Sequence, residues 1–229
     1  MNIGENRASI NLCHEKIMES SEERMLGVIV QNNLKFASHV EKVKSSTFHN
    51  LFKLRRLQHV LSPAHLKMIA EGTVQSQIRY CLSVYGAEYL RLSDSDPRTG
   101  PGTQLQTIQN NMLRVITKNR LCDRVKISNM LQTTGLLSVN QMIGYGIIME
   151  MWKARNFCVP HLGSLHRRGR DDTRTLRSDS NENVFATTSD LFSVCAEKLW
   201  NSASKKFRDT NLLKVAKVEA KQLARLLPV

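Results

Sequence analysis

The sequence predicts a mainly α-helical protein with a small N-terminal β-hairpin followed by about seven helices. Two observations predict this class. Short apolar runs with the partial alternation of β-strands occur within residues 8–30. From residue 37 onward, apolar residues recur at intervals of three and four, which is the spacing of an amphipathic helix. The chain has 229 residues, of which 41% are hydrophobic, and this is enough to form a sizeable core.

The predicted hairpin has one strand in residues 8–18 and a second in residues 24–30, joined through the polar sequence SSEE. Ile10 and Leu12 share a face of the first strand because side chains alternate along a strand. Gly27 lies inside the second run, where glycine often marks a bulge or a close backbone approach. The turn-like sequence QNN then leads into the first helix.

The first helix, predicted over residues 37–59, combines an apolar face with a basic face. At about 100° per residue, its basic side chains fall on the side opposite the apolar stripe. The expected inward residues are Val40, Val43, Thr47, Leu51 and Leu54, and the outward basic residues are Lys42, His49, Lys53 and Arg56. By itself this pattern fits a nucleic-acid-binding face and an ordinary solvated helix surface equally well.

A second helix is predicted to begin at Ser62-Pro63 and to end near Tyr89. Serine at the N-cap and proline at the first helical position are a typical start of a helix. Its expected inward stripe is Leu66, Ile69, Thr73, Gln77, Cys81 and Val84. The turn-forming residues of SDSDPRTGPG (93–102) predict a loop after it.

Three further helices are predicted at residues 104–118, about 124–133 and 138–155, with Gly135 ending the second and Ser138 capping the third. The inward residues of the first are Leu105, Ile108, Met112 and Val115. A basic cluster of Lys118, Arg120, Arg124 and Lys126 follows that helix, and its first three members are further candidate nucleic-acid contacts.

Residues 156–186 are polar and loop-like, and the stretch 166–177 within them is rich in arginine. The arginines are Arg167, Arg168, Arg170, Arg174 and Arg177. Because little apolar material accompanies them, we expect a flexible segment that either contacts phosphates or is a plain solvated linker. Two helices, near residues 189–208 and 211–227, close the chain, and Trp152 and Trp200 are expected to point into the core.

The charge balance points to a polyanionic partner. Lys and Arg number 33 against 20 Asp and Glu, so the net charge is +13 and the isoelectric point is near 9.8. Such an excess most often accompanies nucleic-acid binding and sometimes binding to an anionic membrane surface. A basic protein without such a partner is the alternative.

The sequence also predicts where the protein is located. The five cysteines are scattered without a CxxC pair, and the N-terminus has no long apolar segment. The most apolar later stretch, residues 136–152, is interrupted by Asn140, Gln141 and Glu150, and it is too short and polar to span a bilayer. We therefore expect a nuclear or cytoplasmic protein that is not secreted and has no membrane partner.

No catalytic or cofactor motif is recognisable in the sequence. The glycine-rich phosphate loops, the nucleophile elbow and the HExxH metal motif are missing. Cys158, His161 and His166 are close in sequence, but a structural zinc site needs a fourth ligand, so we interpret them as loop residues. Asp171-Asp172 lies in the arginine-rich loop without flanking apolar strands, and we interpret the pair as charge compensation. We expect no catalytic residue and no metal site.

Four stretches of the chain resemble, in order, the C-terminal half of reverse transcriptases encoded by non-LTR (LINE-like) retrotransposons. ERMLGVIVQNNLKFASHVEKV (23–43) resembles that family's LGV-type hairpin strand and the start of the next helix. QSQIRYCLSVYGAEY (75–89) resembles its helix ending in a Tyr-Gly step, and LQTIQNNMLRVITK (105–118) resembles its L-x-x-I-Q-N-x-x-L-R helix. FSVCAEKLWNSASKKFRD (192–209) resembles its segment centred on a Leu-Trp-Asn step.

The resemblance implies a division of the chain and a role for each part. Residues 1–36 would correspond to the primer-grip end of a palm, with Leu26, Gly27 and Val28 in the hairpin. Residues 37–155 would form a thumb-like helical region, 156–188 a basic flexible loop and 189–229 a C-terminal helical pair. In that family the catalytic palm lies upstream and its aspartates bind Mg²⁺, so we expect this chain to hold no cofactor and to be inactive by itself as an RNA-directed DNA polymerase.

The expected function is therefore to grip nucleic acid as the C-terminal part of such a polymerase. The expected partners are an RNA template, an RNA–DNA or DNA duplex, and an upstream polymerase palm. The alternative is a non-catalytic helical module, derived from a retrotransposon, that binds protein. The two differ in where the basic residues fall: one continuous stripe with Lys42, Lys53 and Arg56 favours nucleic acid, and basic residues spread around apolar patches favour protein.

Overall fold

The chain folds as a mainly helical protein with β-hairpins at its N-terminal end. A computed structural model describes residues 9–12, 15–97, 100–157 and 191–229. Seven of the helices in these ranges have eight or more residues. The predicted fold class, a small β element followed by about seven helices, is confirmed.

The N-terminal strands form two hairpins instead of the single one predicted. Strand β1 (Ser9–Leu12) pairs antiparallel with β2 (Glu15–Met18), and β3 (Glu22–Met25) pairs with β4 (Val28–Gln31). The pairing of residues 8–18 with 24–30 was therefore wrong. The reason is a two-residue turn at Leu26 and Gly27, both at positive φ (48° and 90°), which closes β3 onto β4 inside the run interpreted as one strand.

Helix α1 (Ala37–Leu57) has the inward face that its sequence predicts. All five expected inward residues are buried: Val40, Val43, Thr47, Leu51 and Leu54. Thr47 is the polar member of the stripe, and its hydroxyl donates to the Val43 carbonyl at 2.6 Å, so burying it leaves no unpaired group. The opposite side of α1 is exposed.

The next helical segment is interrupted twice. Helix α2 (Pro63–Ala70) leads through a π-helical turn (Glu71–Gln75) into α3 (Ser76–Arg79), and α4 (Leu82–Tyr85) follows Cys81, which has a positive φ of 53°. The predicted cap is confirmed, because the His65 backbone N–H donates to Ser62 Oγ at 3.4 Å. The continuous helix expected to Tyr89 breaks at Cys81.

The inward stripe of this segment differs from the prediction after Leu66. The buried residues recur at every fourth position: Leu66, Ala70, Val74, Ile78 and Leu82. Thr73 and Val84, both expected inside, are exposed. The wide π-helical turn explains the difference, because it delays the rotation of the helix and keeps every fourth residue on one side.

Helices α5 (Gly100–Thr117), α6 (Ile127–Thr134) and α7 (Val139–Phe157) follow the predicted pattern. The inward residues expected in α5 are all buried: Leu105, Ile108, Met112 and Val115. Gly135 ends α6 with a left-handed φ of 68°, and Ser138 Oγ accepts the Gln141 backbone N–H at 3.2 Å at the start of α7. Helix α7 packs against α4, α5, α8 and α10 and is the centre of the core.

Helices α8 (Leu191–Ser202), α9 (Lys205–Asp209) and α10 (Leu213–Arg225) form the C-terminal part. The first of the two predicted tail helices is divided because Ser204 Oγ accepts the Phe207 N–H at 3.2 Å and starts a new helix. Both tryptophans are buried, as predicted. Trp152 Nε1 donates to the Thr210 carbonyl at 2.8 Å, and the Trp200 ring meets Phe207 edge-on at 5.7 Å between centroids.

Two buried amides fasten the C-terminus to the start of α7. Asn140 Nδ2 donates to the carbonyls of Arg91 (2.8 Å) and Pro228 (3.0 Å). Gln141 Nε2 donates to the Leu227 carbonyl at 3.2 Å. These polar residues interrupt the most apolar stretch of the sequence, and each serves to pair backbone groups of the chain end.

Candidate nucleic-acid interface

The outer face of α1 brings together the four basic residues that the sequence predicts. Lys42, His49, Lys53 and Arg56 are all exposed. At about 100° per residue their positions span an arc of about 60° on the helix. They therefore form one stripe along the side of α1 that faces away from the core, and we call these four residues the α1 basic face.

The cations of the α1 basic face are unneutralised. Lys42, Lys53 and Arg56 make no ion pair with any residue that the structure describes. The neighbouring Lys44 does so, since its Nζ lies 3.0 Å from Glu41 Oε1. From residue 42 to residue 70 the sequence has no Asp or Glu, so an anion that approaches this face meets an excess of positive charge.

Two phenylalanines lie beside the α1 basic face. Phe48 and Phe52 each expose 59% of their surface, which is unusual for such large apolar side chains. The Arg56 guanidinium lies 5.5 Å from the centroid of the Phe52 ring, within the range of a cation–π contact. A surface that alternates cations and aromatic rings can pair phosphates and stack on bases.

The basic loop after α5 lies at the same end of the helical bundle as the C-terminus of α1. A cavity of about 380 Å³ is lined both by Pro63 and Ala64, at the start of α2, and by Thr117, Asn119 and Val125 around the loop. Within this loop, Lys118 (φ 57°) and Arg124 (φ 49°) have left-handed backbones and exposed side chains.

A short capping interaction shapes this loop. The Arg120 backbone N–H donates to Asp123 Oδ2 at 2.6 Å, which closes the 3₁₀ turn Leu121–Asp123 and leaves the Arg120 side chain exposed. The loop that carries Lys118, Arg120 and Arg124 thus lies near the start of α2, which follows α1 in the chain. The remaining predicted contacts, Arg167, Arg168 and Arg170, lie outside the described residues, as do Cys158, His161 and His166.

The hairpin residues Leu26, Gly27 and Val28 occupy a turn and the first position of β4. The Tyr80 hydroxyl donates to the Leu26 carbonyl at 2.6 Å, and a Cβ on Gly27 would lie 3.5 Å from the Tyr80 ring. This distance is an ordinary van der Waals contact, so the close backbone approach expected at Gly27 is not what favours glycine; the positive φ of 90° in the turn is. Val28 is buried, so this hairpin is attached to the end of α3 and to the core.

His39 joins the same hairpin to the start of α1 from the inside. Its Nδ1 accepts the Ile29 backbone N–H at 3.4 Å, and its ring meets Tyr85 edge-on at 4.7 Å. Its Nε2 is buried and has no hydrogen-bond partner in the part of the chain that the structure describes. Burial, and then the charge of Lys42, lower the pKa of His39 below its ordinary value of 6.5, so the ring is neutral at pH 7.

A second basic stripe, which was not predicted from the sequence, lies on α10. Lys214, Lys217, Lys221 and Arg225 are exposed and follow one another at intervals of three and four. The inward side of the same helix consists of the buried alanines Ala216, Ala220 and Ala224. The repeat of alanine at every fourth position, about 100° around the helix from the basic residues, is the signal in the sequence that could have found this face.

Comparisons of the chain with family models, curated proteins and solved structures gave no match. Among the described residues, no helix is both long enough and apolar enough to cross a membrane. Within the same ranges, no three His, Cys, Asp or Glu side chains are grouped so that they could hold a metal ion.

Proposed function

We propose that this chain grips template–primer duplexes as the C-terminal part of a non-LTR retrotransposon reverse transcriptase. The α1 basic face would contact phosphates, and the loop around Lys118, Arg120 and Arg124 would extend that contact at one end. The hairpin with Leu26, Gly27 and Val28 would take the place of the primer grip, next to an upstream palm that carries the Mg²⁺-binding aspartates. A nuclear or cytoplasmic location belongs to the same proposal.

One observation carries the proposal above the others. Four basic side chains share the exposed side of a 21-residue helix, and its Lys and Arg members have no acidic partner among the described residues. An ordinary solvated helix surface alternates charges of both signs, because paired charges stabilise it. The kind of duplex, a template–primer, is inferred from the four stretches that resemble the reverse transcriptase family in the same order.

The chemistry of the face suits a polymerase, which must hold every sequence alike. Lysine and arginine contacts to phosphates position a duplex and read no bases. An A-like RNA–DNA duplex presents its backbone and a shallow minor groove, because its major groove is too narrow for side chains. Binding should therefore be insensitive to sequence and strongly dependent on salt.

The test is the salt dependence of binding to an RNA–DNA hybrid. We expect the replacement of Lys42, Lys53 and Arg56 together by alanine to weaken binding and to flatten the slope of log Kd against log salt. Each lost phosphate contact removes about 0.9 from that slope on B-DNA, and the hybrid should behave comparably. Fluorescence anisotropy at several salt concentrations measures both quantities.

The matched control removes the same charge elsewhere, through alanine at the exposed lysines Lys198, Lys205 and Lys214. This control variant should change the slope of log Kd against log salt much less, because it lowers the positive charge of the protein without removing a phosphate contact. Equal slopes for the two triple variants would contradict the proposal. The isolated chain should also show no primer extension with Mg²⁺, and incorporation above a vector control would overturn that part.

A further inference from the structure

A wide groove lies on the opposite side of the α2–α3 segment from α1. Its volume is about 1130 Å³, above the roughly 300–1,000 Å³ of ordinary small-molecule pockets. It is lined by the end of α2, the π-helical turn, α3 and α4, by residues 135–137, by one side of α7, by the start of α8 and by α10. No residue of α1 lines it, so it is a surface separate from the α1 basic face.

The floor of the groove is apolar, and part of it is exposed. Buried core side chains such as Met142 and Met149 form its base. Val84 and Leu213, which also line it, expose 55% and 44% of their surfaces. Methionine fills irregular gaps and adapts to different partners, so this floor suits an apolar side chain inserted from outside.

The rim of the groove carries an excess of positive charge. Of its cations, Lys67 is paired with Glu71 (3.8 Å) and Lys153 with Glu150 (2.8 Å). Arg79, Lys217 and Lys221 also line the groove and make no ion pair with any described residue. Its two carboxylates are thus already paired while three cations remain, and the groove is complementary to an acidic partner.

An amphipathic helix fits these features better than a nucleic-acid strand does. Single strands are held by exposed aromatic faces on which bases stack. The two aromatic residues of the groove, Tyr145 and Phe192, are half-buried and pack against the core. An apolar floor between cationic edges is instead the arrangement that receives the apolar face of a helix with acidic flanks.

We propose that this groove is a docking site for an acidic amphipathic helix of a partner protein. The apolar residues of that helix, at positions i, i+3, i+4 and i+7, would cover Val84, Leu213 and the methionine floor. Its carboxylates would pair with Arg79, Lys217 and Lys221. Docking of this helix does not depend on duplex binding by α1, so an experiment can contradict either proposal without contradicting the other.

The probe is a labelled synthetic peptide with leucine at i, i+3, i+4 and i+7 and glutamate on its other face. A second peptide has the same composition in scrambled order. We expect the ordered peptide to bind the full chain at least roughly tenfold more tightly than the scrambled one, because only it presents a continuous apolar face. Two double variants, V84E/L213E and K217E/K221E, should each weaken its binding by a similar factor.

The control variant K42E/K53E places the same charge reversal on α1. It should leave peptide binding nearly unchanged and abolish hybrid binding, whereas the two groove variants should keep hybrid binding and thereby report that they are folded. Equal binding of the two peptides, or no saturable binding of the ordered one, would overturn the proposal. Binding of single-stranded RNA in the groove would also overturn the proposal. That outcome would appear as a loss of RNA binding in K217E/K221E, together with peptide binding that V84E/L213E leaves unchanged.

Discussion

Helices α1 and α10 both carry a stripe of positive charge on the outer side. They differ on the inner side, where α1 packs with large side chains and α10 with small ones. The inner side of α1 consists of large residues, among them Leu51 and Leu54, together with the buried His39. The inner side of α10 consists of Ala216, Ala220 and Ala224, each with at most 2% exposure. Small residues let α10 lie close against α7, whereas α1 is held by bulky side chains that fill the space beneath it.

The comparison teaches that a charge pattern alone does not specify a partner. Beside the cations of α1 lie two exposed phenylalanines, and the apolar groove does not reach them. Beside those of α10 lies an apolar groove without an exposed aromatic face. What surrounds each stripe therefore underlies the two proposals, nucleic acid for the first helix and an acidic helix for the second.

The largest expected effect comes from removing volume beneath α1. Leu51→Ala should lower the free energy of unfolding by about 2–5 kcal/mol, because a buried leucine leaves a cavity that the core fills only partly. Phe48→Ala, on the exposed side of the same helix, is the matched control and should stay within about 0.5 kcal/mol. Denaturant unfolding measures both, and similar losses for the two variants would show that the inward face is misassigned.

The reverse change should damage α10. Ala220 is fully buried against the bundle, so Ala220→Leu should cost about 1–3 kcal/mol through overpacking and should push α10 away from α7. Because Lys217 and Lys221 move with the helix, binding of the acidic peptide should fall while hybrid binding persists. Val218→Leu, at an exposed position of the same helix, should change neither. An Ala220→Leu variant as stable as the parent would show that α10 is loosely packed.

The inward face of α1 could be predicted because it depends on local spacing alone. All five residues chosen by helical period are buried. The same reasoning failed on α2 and α3, where the π-helical turn shifts the phase without an obvious signal in EGTVQ. It also missed the turn at Leu26-Gly27, because leucine at positive φ is uncommon and Asn-Gly is the usual sign of such a turn.

The two candidate surfaces also differ in how far the sequence could predict them. The α1 basic face lies within one helix, and spacing was sufficient to predict it. The groove is assembled from residues as distant in sequence as Lys67 and Lys221, so only the packing of α2, α7 and α10 brings its rim together. The lysines of α10 were readable from the sequence, but the apolar floor beside them was not.

A pH titration separates α1 from α10 more finely, because α10 has no histidine while α1 has a buried one. The pKa of His39 is lowered in the folded state, so the unfolded state binds more protons between that pKa and 6.5. The contribution of His39 to stability is complete above 6.5 and is lost as the pH falls through this window. Stability of the parent chain should therefore decline on acidification.

The variant His39→Gln should reduce that decline, and His59→Gln, at an exposed position, should not. Urea unfolding at several values between about pH 5 and 8 gives the two slopes. His39 faces Tyr85 and the Ile29 amide, and Lys42 is the charged group that acts on it. Parallel curves for the parent and His39→Gln would mean that the ring is already solvated in the native state.

The smallest effect is expected from removing charge on α10 while hybrid binding is measured. If duplexes bind the α1 basic face, the triple variant K217A/K221A/R225A loses no phosphate contact and changes only the long-range field. Its slope of log Kd against log salt should match that of the parent, whereas K42A/K53A/R56A should lose about 0.9 for each contact removed. A loss of equal size in both variants would mean that a duplex spans the two helices. In that case the groove beside α10 would lie along the path of the nucleic acid, and the acidic peptide should then compete with the hybrid.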